Sequence, residues 1–172
     1  KARRSNIMYI AIAVVFVLVA IVVIVANSKV IERGAKAVTI GSETYTAADV
    51  DYYYYTAYNS FVRNYSSYLS MYGLDTSKSL KDQDCPMTDG GTWYDYFRDQ
   101  AISSLTSYSL LAQKAEEDGF DGSETVEADL KQVYSDLDSY AAAAGYTRSQ
   151  YIKTVCGPLV NQKVFERNIR MI

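Results

Sequence analysis

Residues 46–72 read TAADVDYYYYTAYNSFVRNYSSYLSMY. Thr46 and Asp49 open this stretch with the spacing of a capping box, in which Asp replaces the preferred Glu or Gln. Gly73 follows the stretch, and glycine commonly ends a helix. The sequence therefore predicts one long helix that begins at Thr46 and continues to about Tyr72.

The apolar face of this helix is unusually wide, and the chain has 17 tyrosines. One packing partner needs an apolar stripe only a little wider than about 100°. Either two neighbouring helices cover the face, or part of it lines an open groove. Tyrosine suits a groove because it combines a large contact area with few rotamers and a hydroxyl group. In the groove interpretation, the peptide-binding residues are Tyr54, Tyr58, Phe61, Tyr65, Tyr68, Tyr72, Trp93 and Phe97.

Further helices are predicted from the residues that cap their N-termini and from the glycines that end them. Residues 37–40 are expected to form a short strand, followed by a turn over residues 41–46. Val160 and Phe165 have the spacing of a hydrophobic staple around the last helix. Beyond the tyrosine-rich helix, we expect helices from Thr92 to Gly119, from Asp121 to Gly145, from Thr147 to Gly157 and from Asn161 onward.

The segment from Gly73 to Gly91 contains four aspartates but lacks the ligand spacing of an EF-hand, so no metal site is predicted there. Cys85 and Cys156 could form a disulfide only if the fold brings them together, and free thiols are the favoured state. The chain has no histidine, which excludes histidine-based catalysis and most zinc sites. No catalytic residue, cofactor or metal is therefore predicted.

Residues 7–26 form a run of 20 residues without a charged side chain. A helix of this length spans about 30 Å, the thickness of a hydrocarbon core. A cleavable signal peptide is the alternative, although its apolar region is usually shorter. The basic cluster that precedes the run favours a cytoplasmic N-terminus. We expect a cytoplasmic flank over residues 1–6, a transmembrane helix over 7–26, a linker over 27–36 and a helical domain over 37–172.

The domain that follows residue 34 is acidic, with 12 basic and 19 acidic residues. Nucleic-acid binding needs a basic surface, because affinity comes largely from neutralising phosphates. The composition therefore argues against a nucleic-acid partner.

Several stretches resemble the N-terminal helical domain of SurA-like and PrsA-like extracytoplasmic foldases. They are residues 38–46 with Asp49, residues 74–78, residues 92–97, and residues 141–157. The likeness covers residues 37–172. The chain departs from the family pattern at Gly41-Ser42, where Asn-Gly is usual, and at Cys156, where Tyr is usual.

This resemblance implies a single-pass membrane protein that carries an all-helical chaperone domain with a short N-terminal strand. It also implies that residues 30–172 lie outside the cytoplasm and bind unfolded or secreted polypeptides beside the lipid bilayer. In this family a parvulin-type peptidyl-prolyl isomerase domain commonly follows the helical part. An isomerase with its catalytic domain beyond Ile172 is thus one alternative, and a homodimer formed through the tyrosine face is another.

Overall fold

The computed structural model describes residues 29–120 and 122–172, and these residues are mainly helical. A small antiparallel sheet precedes the longer helices. The elements are α1 (Val30–Gly34), β1 (Lys36–Ile40), β2 (Glu43–Thr46), α2 (Ala47–Asn64), a 3-10 turn (Leu80–Asp82), α3 (Trp93–Glu117), α4 (Ser123–Ala143), α5 (Arg148–Cys156) and α6 (Gln162–Ile169).

The strands β1 and β2 form a hairpin, where the sequence predicted one strand and a turn. Ile40 pairs with Glu43, so Gly41 and Ser42 make a two-residue connection. Gly41 has a φ of 59°, which suits a tight hairpin turn and is readily adopted by glycine. The hairpin places Ile40 and Tyr45 in the core at the start of α2.

Helix α2 begins where the sequence predicted and ends eight residues earlier than expected. The Asp49 carboxylate accepts hydrogen bonds from the backbone N–H of Thr46 (2.8 Å) and from its hydroxyl (2.7 Å). The helix ends at Asn64, and turns occupy residues 65–73. Asn64, Ser66, Ser67 and Ser70 explain the early end, because their side chains compete for backbone hydrogen bonds and disfavour a helix interior.

The later helices follow the predicted boundaries closely. Helix α3 is capped by Thr92, α5 by Thr147 and α6 by Asn161, and each cap accepts a hydrogen bond from the backbone. Helix α4 differs, because its N-cap is Gly122. Asp121, the predicted cap, lies outside the described residues.

Helices α2 and α3 are antiparallel and share two hydrophobic clusters. Tyr53 near the start of α2 stacks on Tyr108 in the second half of α3, with ring centroids 6.0 Å apart. Phe61 near the end of α2 contacts Trp93 at the start of α3, at 5.1 Å. The first cluster, the hairpin cluster, includes Ile40, Tyr45, Tyr52, Tyr53, Leu105, Ile152, Val160 and Phe165. The second, the tryptophan cluster, consists of Phe61, Leu74, Cys85, Trp93 and Phe97.

The predicted single-pass membrane fold and cell-membrane location are contradicted. Within residues 29–120 and 122–172, no helix combines the length and the apolar character that a bilayer crossing requires. The run at 7–26 and its flank at 1–6 lie outside the described residues. The described residues form a mainly helical domain with a two-stranded hairpin, which also corrects the expectation of a single strand in an all-helical domain.

The segment between α2 and α3 is folded against the tryptophan cluster. Leu74 and Cys85 are buried in that cluster, and the backbone N–H of Cys85 donates to the Gly91 carbonyl at 2.9 Å. Within the described part of the chain, no group of three or more potential metal ligands is found. Cys85 and Cys156 are free thiols, and Cys156 packs against the hairpin cluster instead.

Candidate functional site: a tyrosine groove

A groove of about 790 Å³ lies between α2, α3 and the 3-10 turn. Its size falls within the range of ordinary ligand sites in proteins. The link between α5 and α6 closes one side through Leu159. The apolar part of its wall is formed mainly by Tyr54, Tyr55, Tyr58, Leu80, Tyr94 and Ile102. We call it the tyrosine groove.

Helix α2 contributes tyrosines to the groove and to the core from the same short run. Successive residues of a helix are rotated by about 100°, so neighbours point in different directions. Tyr52 and Tyr53 are buried in the hairpin cluster, whereas Tyr54, Tyr55 and Tyr58 are half-buried and line the groove. One part of the wide aromatic face is therefore covered by neighbouring helices, and another part lines a groove. Each of the two interpretations of the sequence holds for some of these tyrosines.

The opposite wall comes from α3, whose residues Tyr94, Arg98 and Ile102 recur every four positions. The rings of Tyr54 and Tyr94 are in contact where the two helices meet, with centroids 5.5 Å apart and planes inclined by 44°. The buried Phe97 makes an edge contact with Tyr58 at 5.4 Å. Because Phe97 belongs to the tryptophan cluster, the groove-lining Tyr58 is supported by the core.

The third wall is the 3-10 turn, which a buried glutamine holds in place. The Gln83 side chain accepts a hydrogen bond from the Asp75 N–H at 2.7 Å. It also donates to the carbonyls of Asp75, Lys78 and Ser79. These bonds fix the backbone next to Leu80 and Lys81, both of which line the groove.

Charged side chains also line the groove. Asp51 accepts a hydrogen bond from the Leu159 N–H at 2.9 Å. The Lys81 ammonium lies 4.6 Å from the centroid of the Tyr94 ring. Arg98 is paired with Asp95 at 2.8 Å and with Asp99 at 3.0 Å.

Burial raises the pKa of the hydroxyl groups of Tyr54, Tyr55 and Tyr58 above the ordinary tyrosine value. Tyrosine hydroxyls are protonated at neutral pH even without such a shift, so these groups are hydrogen-bond donors. Burial also raises the pKa of the Asp51 carboxyl, and the hydrogen bond from Leu159 and the charge of Lys29 partly oppose that effect.

The structure separates the peptide-binding residues that the sequence predicted as one set. Tyr54 and Tyr58 line the groove. Phe61, Trp93 and Phe97 are at most 8% exposed and pack in the tryptophan cluster, so a ligand in the groove cannot reach most of their surface. The remaining three lie outside the groove beyond the end of α2: Tyr65 and Tyr68 are exposed, and Tyr72 packs on the tryptophan cluster.

Sequence reasoning missed the residues that come to the groove from other elements. The helical periodicity places Tyr94 on the apolar stripe of α3, and no sequence pattern assigns Asp51 or Lys81 to a site. The four-residue spacing of Tyr94, Arg98 and Ile102 was a usable signal for one shared helix face. No comparable signal existed for Lys81, because its position depends on how the 74–91 segment folds back.

No protein-family model matches this chain, and no curated protein or solved structure shows a significant match to it. The arrangement of the tyrosine groove is therefore the main guide to function. Its aromatic walls and protonated hydroxyls can bind an elongated apolar ligand that has carbonyl groups to accept hydrogen bonds.

Proposed function

We propose that this protein binds extended, apolar segments of unfolded polypeptides in the tyrosine groove and so keeps them from aggregating. The observation that carries the proposal is the groove itself, which is lined by four tyrosine rings from two packed helices. Two of these rings, Tyr54 and Tyr58, rest on the buried Phe97. The action is reversible burial of apolar surface and needs no covalent step.

The chemistry of the lining supports a polypeptide ligand. An extended peptide presents apolar side chains together with backbone carbonyls that lack internal partners. Tyrosine rings can cover the side chains while their hydroxyls donate to the carbonyls. Neither contact depends strongly on which apolar residue is bound, which suits a protein with many different clients.

The resemblance to SurA-like and PrsA-like foldases supports the same proposal from the sequence. The residues that carry the resemblance include the hairpin and the start of α2, which position the tyrosines. The homodimer alternative would place a second copy of the chain against these tyrosines, and it is one outcome of the aggregation test.

The test is an aggregation assay with citrate synthase that has been unfolded in guanidinium. The purified 172-residue chain is compared with a groove variant, Tyr55→Ser/Tyr94→Ser. The matched control, Tyr68→Ser/Tyr146→Ser, removes two exposed tyrosines outside the groove. Circular dichroism and the fluorescence of Trp93, the single tryptophan, check that all three proteins are folded.

We expect the wild-type chain and the control to suppress aggregation, and the groove variant to lose most of that effect. Equal loss in both variants would assign binding to exposed tyrosines in general and overturn the groove proposal. No suppression by any of the three, together with a concentration-dependent dimer in sedimentation that only the groove variant lacks, would favour the homodimer.

A further inference from the structure

The outer edge of strand β1 adjoins the tyrosine groove. Within the described residues the sheet has two strands, so β1 pairs with β2 on one side and has no strand on the other. Ala37 of β1 lies in the wall of the groove. Lys36, Ala37 and Thr39 are exposed, whereas Val38 and Ile40 pack against the hairpin cluster. The edge of the sheet and the groove therefore form one continuous surface.

The register of the hairpin shows which backbone groups of β1 face outward. In a two-residue hairpin the residues that flank the turn, here Ile40 and Glu43, form a hydrogen-bonded pair. The next pair is then not hydrogen-bonded through the backbone, and it consists of Thr39 and Thr44, whose hydroxyl oxygens are 3.3 Å apart. The N–H and C=O groups of Thr39 therefore point away from β2, toward the outer edge of β1.

Other backbone groups of the hairpin already have side-chain partners. Beside the turn, the Gln113 side chain donates to the Ile40 carbonyl at 3.0 Å. On the outer edge of β2, the Arg167 guanidinium donates to the Thr44 carbonyl at 3.4 Å. In the part of the chain that the structure describes, no group outside the hairpin forms a hydrogen bond with the backbone of Thr39. The outer edge of β1 is therefore the part of the hairpin that is available for backbone pairing.

This edge offers a bound polypeptide what the helical walls of the groove do not. The backbone N–H groups of a client need acceptors when they are buried. The carbonyls inside α2 and α3 are already bonded within their helices. A sheet edge presents both donors and acceptors, and an extended peptide that adds to it gains main-chain hydrogen bonds while its alternate side chains enter neighbouring pockets.

We propose that the client segment adds to the hairpin as a third strand along the outer edge of β1, with every second side chain directed into the tyrosine groove. The backbone bonds do not depend on the client sequence, and the groove selects segments in which every second residue is apolar. This inference rests on the proposed function and specifies the conformation and the residue pattern of the segment that is bound.

The test uses three fluorescein-labelled peptides in which Val and Ser alternate. One peptide is unmodified, one carries N-methyl groups on its valines, and one carries them on its serines. Alternate residues of a strand direct their N–H groups to opposite edges, so one of the two modifications removes the bonds to β1 and the other does not. Fluorescence anisotropy gives the affinity of the full chain for each peptide. We expect one methylated peptide to bind about tenfold more weakly than the unmodified peptide, and the other to bind within about twofold of it.

The matched protein variants are Thr39→Pro and Thr39→Val. Proline removes the outward N–H group, and an edge strand tolerates proline where that group does not bond to the neighbouring strand. Valine keeps the N–H group and the β-branched shape of the side chain. We expect Thr39→Pro to bind the unmodified peptide about fivefold more weakly and Thr39→Val to behave as wild type. Circular dichroism checks that both variants are folded, and the three peptides test the proposal on the wild-type chain if Thr39→Pro is not.

The outcomes separate the two proposals. If the three peptides bind equally, or if both methylated peptides are weakened to the same extent, strand addition is overturned and the proposed function stands. Equal affinity of folded Thr39→Pro and Thr39→Val for the unmodified peptide would also overturn it. If no peptide binds, strand addition is overturned, and the aggregation assay decides separately whether the proposed function fails as well.

Discussion

Gly157 joins α5 to the segment before α6 with a φ of 118°, which an L side chain rarely adopts. Its surroundings are also tight, since Asp51 and Tyr55 lie against its α-carbon. This one position therefore affects two features, the direction of the chain after α5 and the placement of Asp51 in the wall of the tyrosine groove.

The substitution Gly157→Ala should lower the free energy of unfolding by about 2 kcal/mol or more, because it adds both backbone strain and a steric clash. Urea unfolding followed by Trp93 fluorescence measures the change. Gly145→Ala is the matched control, since Gly145 has a φ of 73° and nothing lies within 4 Å of an added methyl group. A loss no larger than that of Gly145→Ala would show that Asp51 and Tyr55 move aside freely.

At the scale of the elements, the start of α3 depends on a reciprocal pair of contacts. The Thr92 hydroxyl accepts from the Asp95 N–H at 3.2 Å. The Asp95 carboxylate in turn accepts from the Thr92 N–H at 3.1 Å and from its hydroxyl at 2.7 Å. The cap fixes the first turn of α3, which carries Trp93 into the core and Tyr94 into the groove.

The substitution Thr92→Ala should lower the free energy of unfolding by about 1 kcal/mol, because the Asp95 backbone N–H loses its side-chain partner. Ser103→Ala, at an exposed position in the middle of α3, should change it by less than about 0.5 kcal/mol. Thermal unfolding followed by circular dichroism compares the two variants. Equal stability would mean that packing of Trp93, and not the cap, fixes the start of the helix.

These caps also show what the sequence can predict and what it cannot. Thr92, Thr147 and Asn161 mark helix starts correctly because a cap involves residues only three positions apart. The end of α2 at Asn64 was missed because apolar residues continue past it while serines have already weakened the helix. Which of Tyr53 and Tyr54 enters the core was not predictable either, since that depends on helices distant in sequence.

For the whole molecule, the tyrosine groove joins the two hydrophobic clusters. Tyr54 packs against both clusters, and Phe97 connects the groove-lining Tyr58 to the tryptophan cluster. The 74–91 segment adds the third wall, and it is anchored by Leu74, Cys85 and the hydrogen bonds of Gln83. The shape of the groove therefore depends on a long connection that has only a short 3-10 turn of regular structure.

Replacing Gln83 by Ala should open that wall without unfolding the domain. The change removes the side-chain bonds to Asp75, Lys78 and Ser79, whose backbone groups lie in a partly exposed segment. The loss of each such hydrogen bond costs about 0.5–1.5 kcal/mol, and it favours local opening of this segment over unfolding of the whole domain. We expect trypsin to cleave after Lys78 and Lys81 on the order of tenfold faster, because cleavage follows the population of the open form.

Mass spectrometry of the fragments identifies the cut sites, and cleavage after the exposed Lys153 in α5 serves as the internal reference. Gln132→Ala is the matched control, because that glutamine is exposed and bonds only to Asp136 among the described residues. The Gln83→Ala protein should also bind apolar peptides more weakly, because the wall that carries Leu80 and Lys81 is no longer held. Faster cleavage with unchanged peptide affinity would show that the two facing helices bind the client without the third wall.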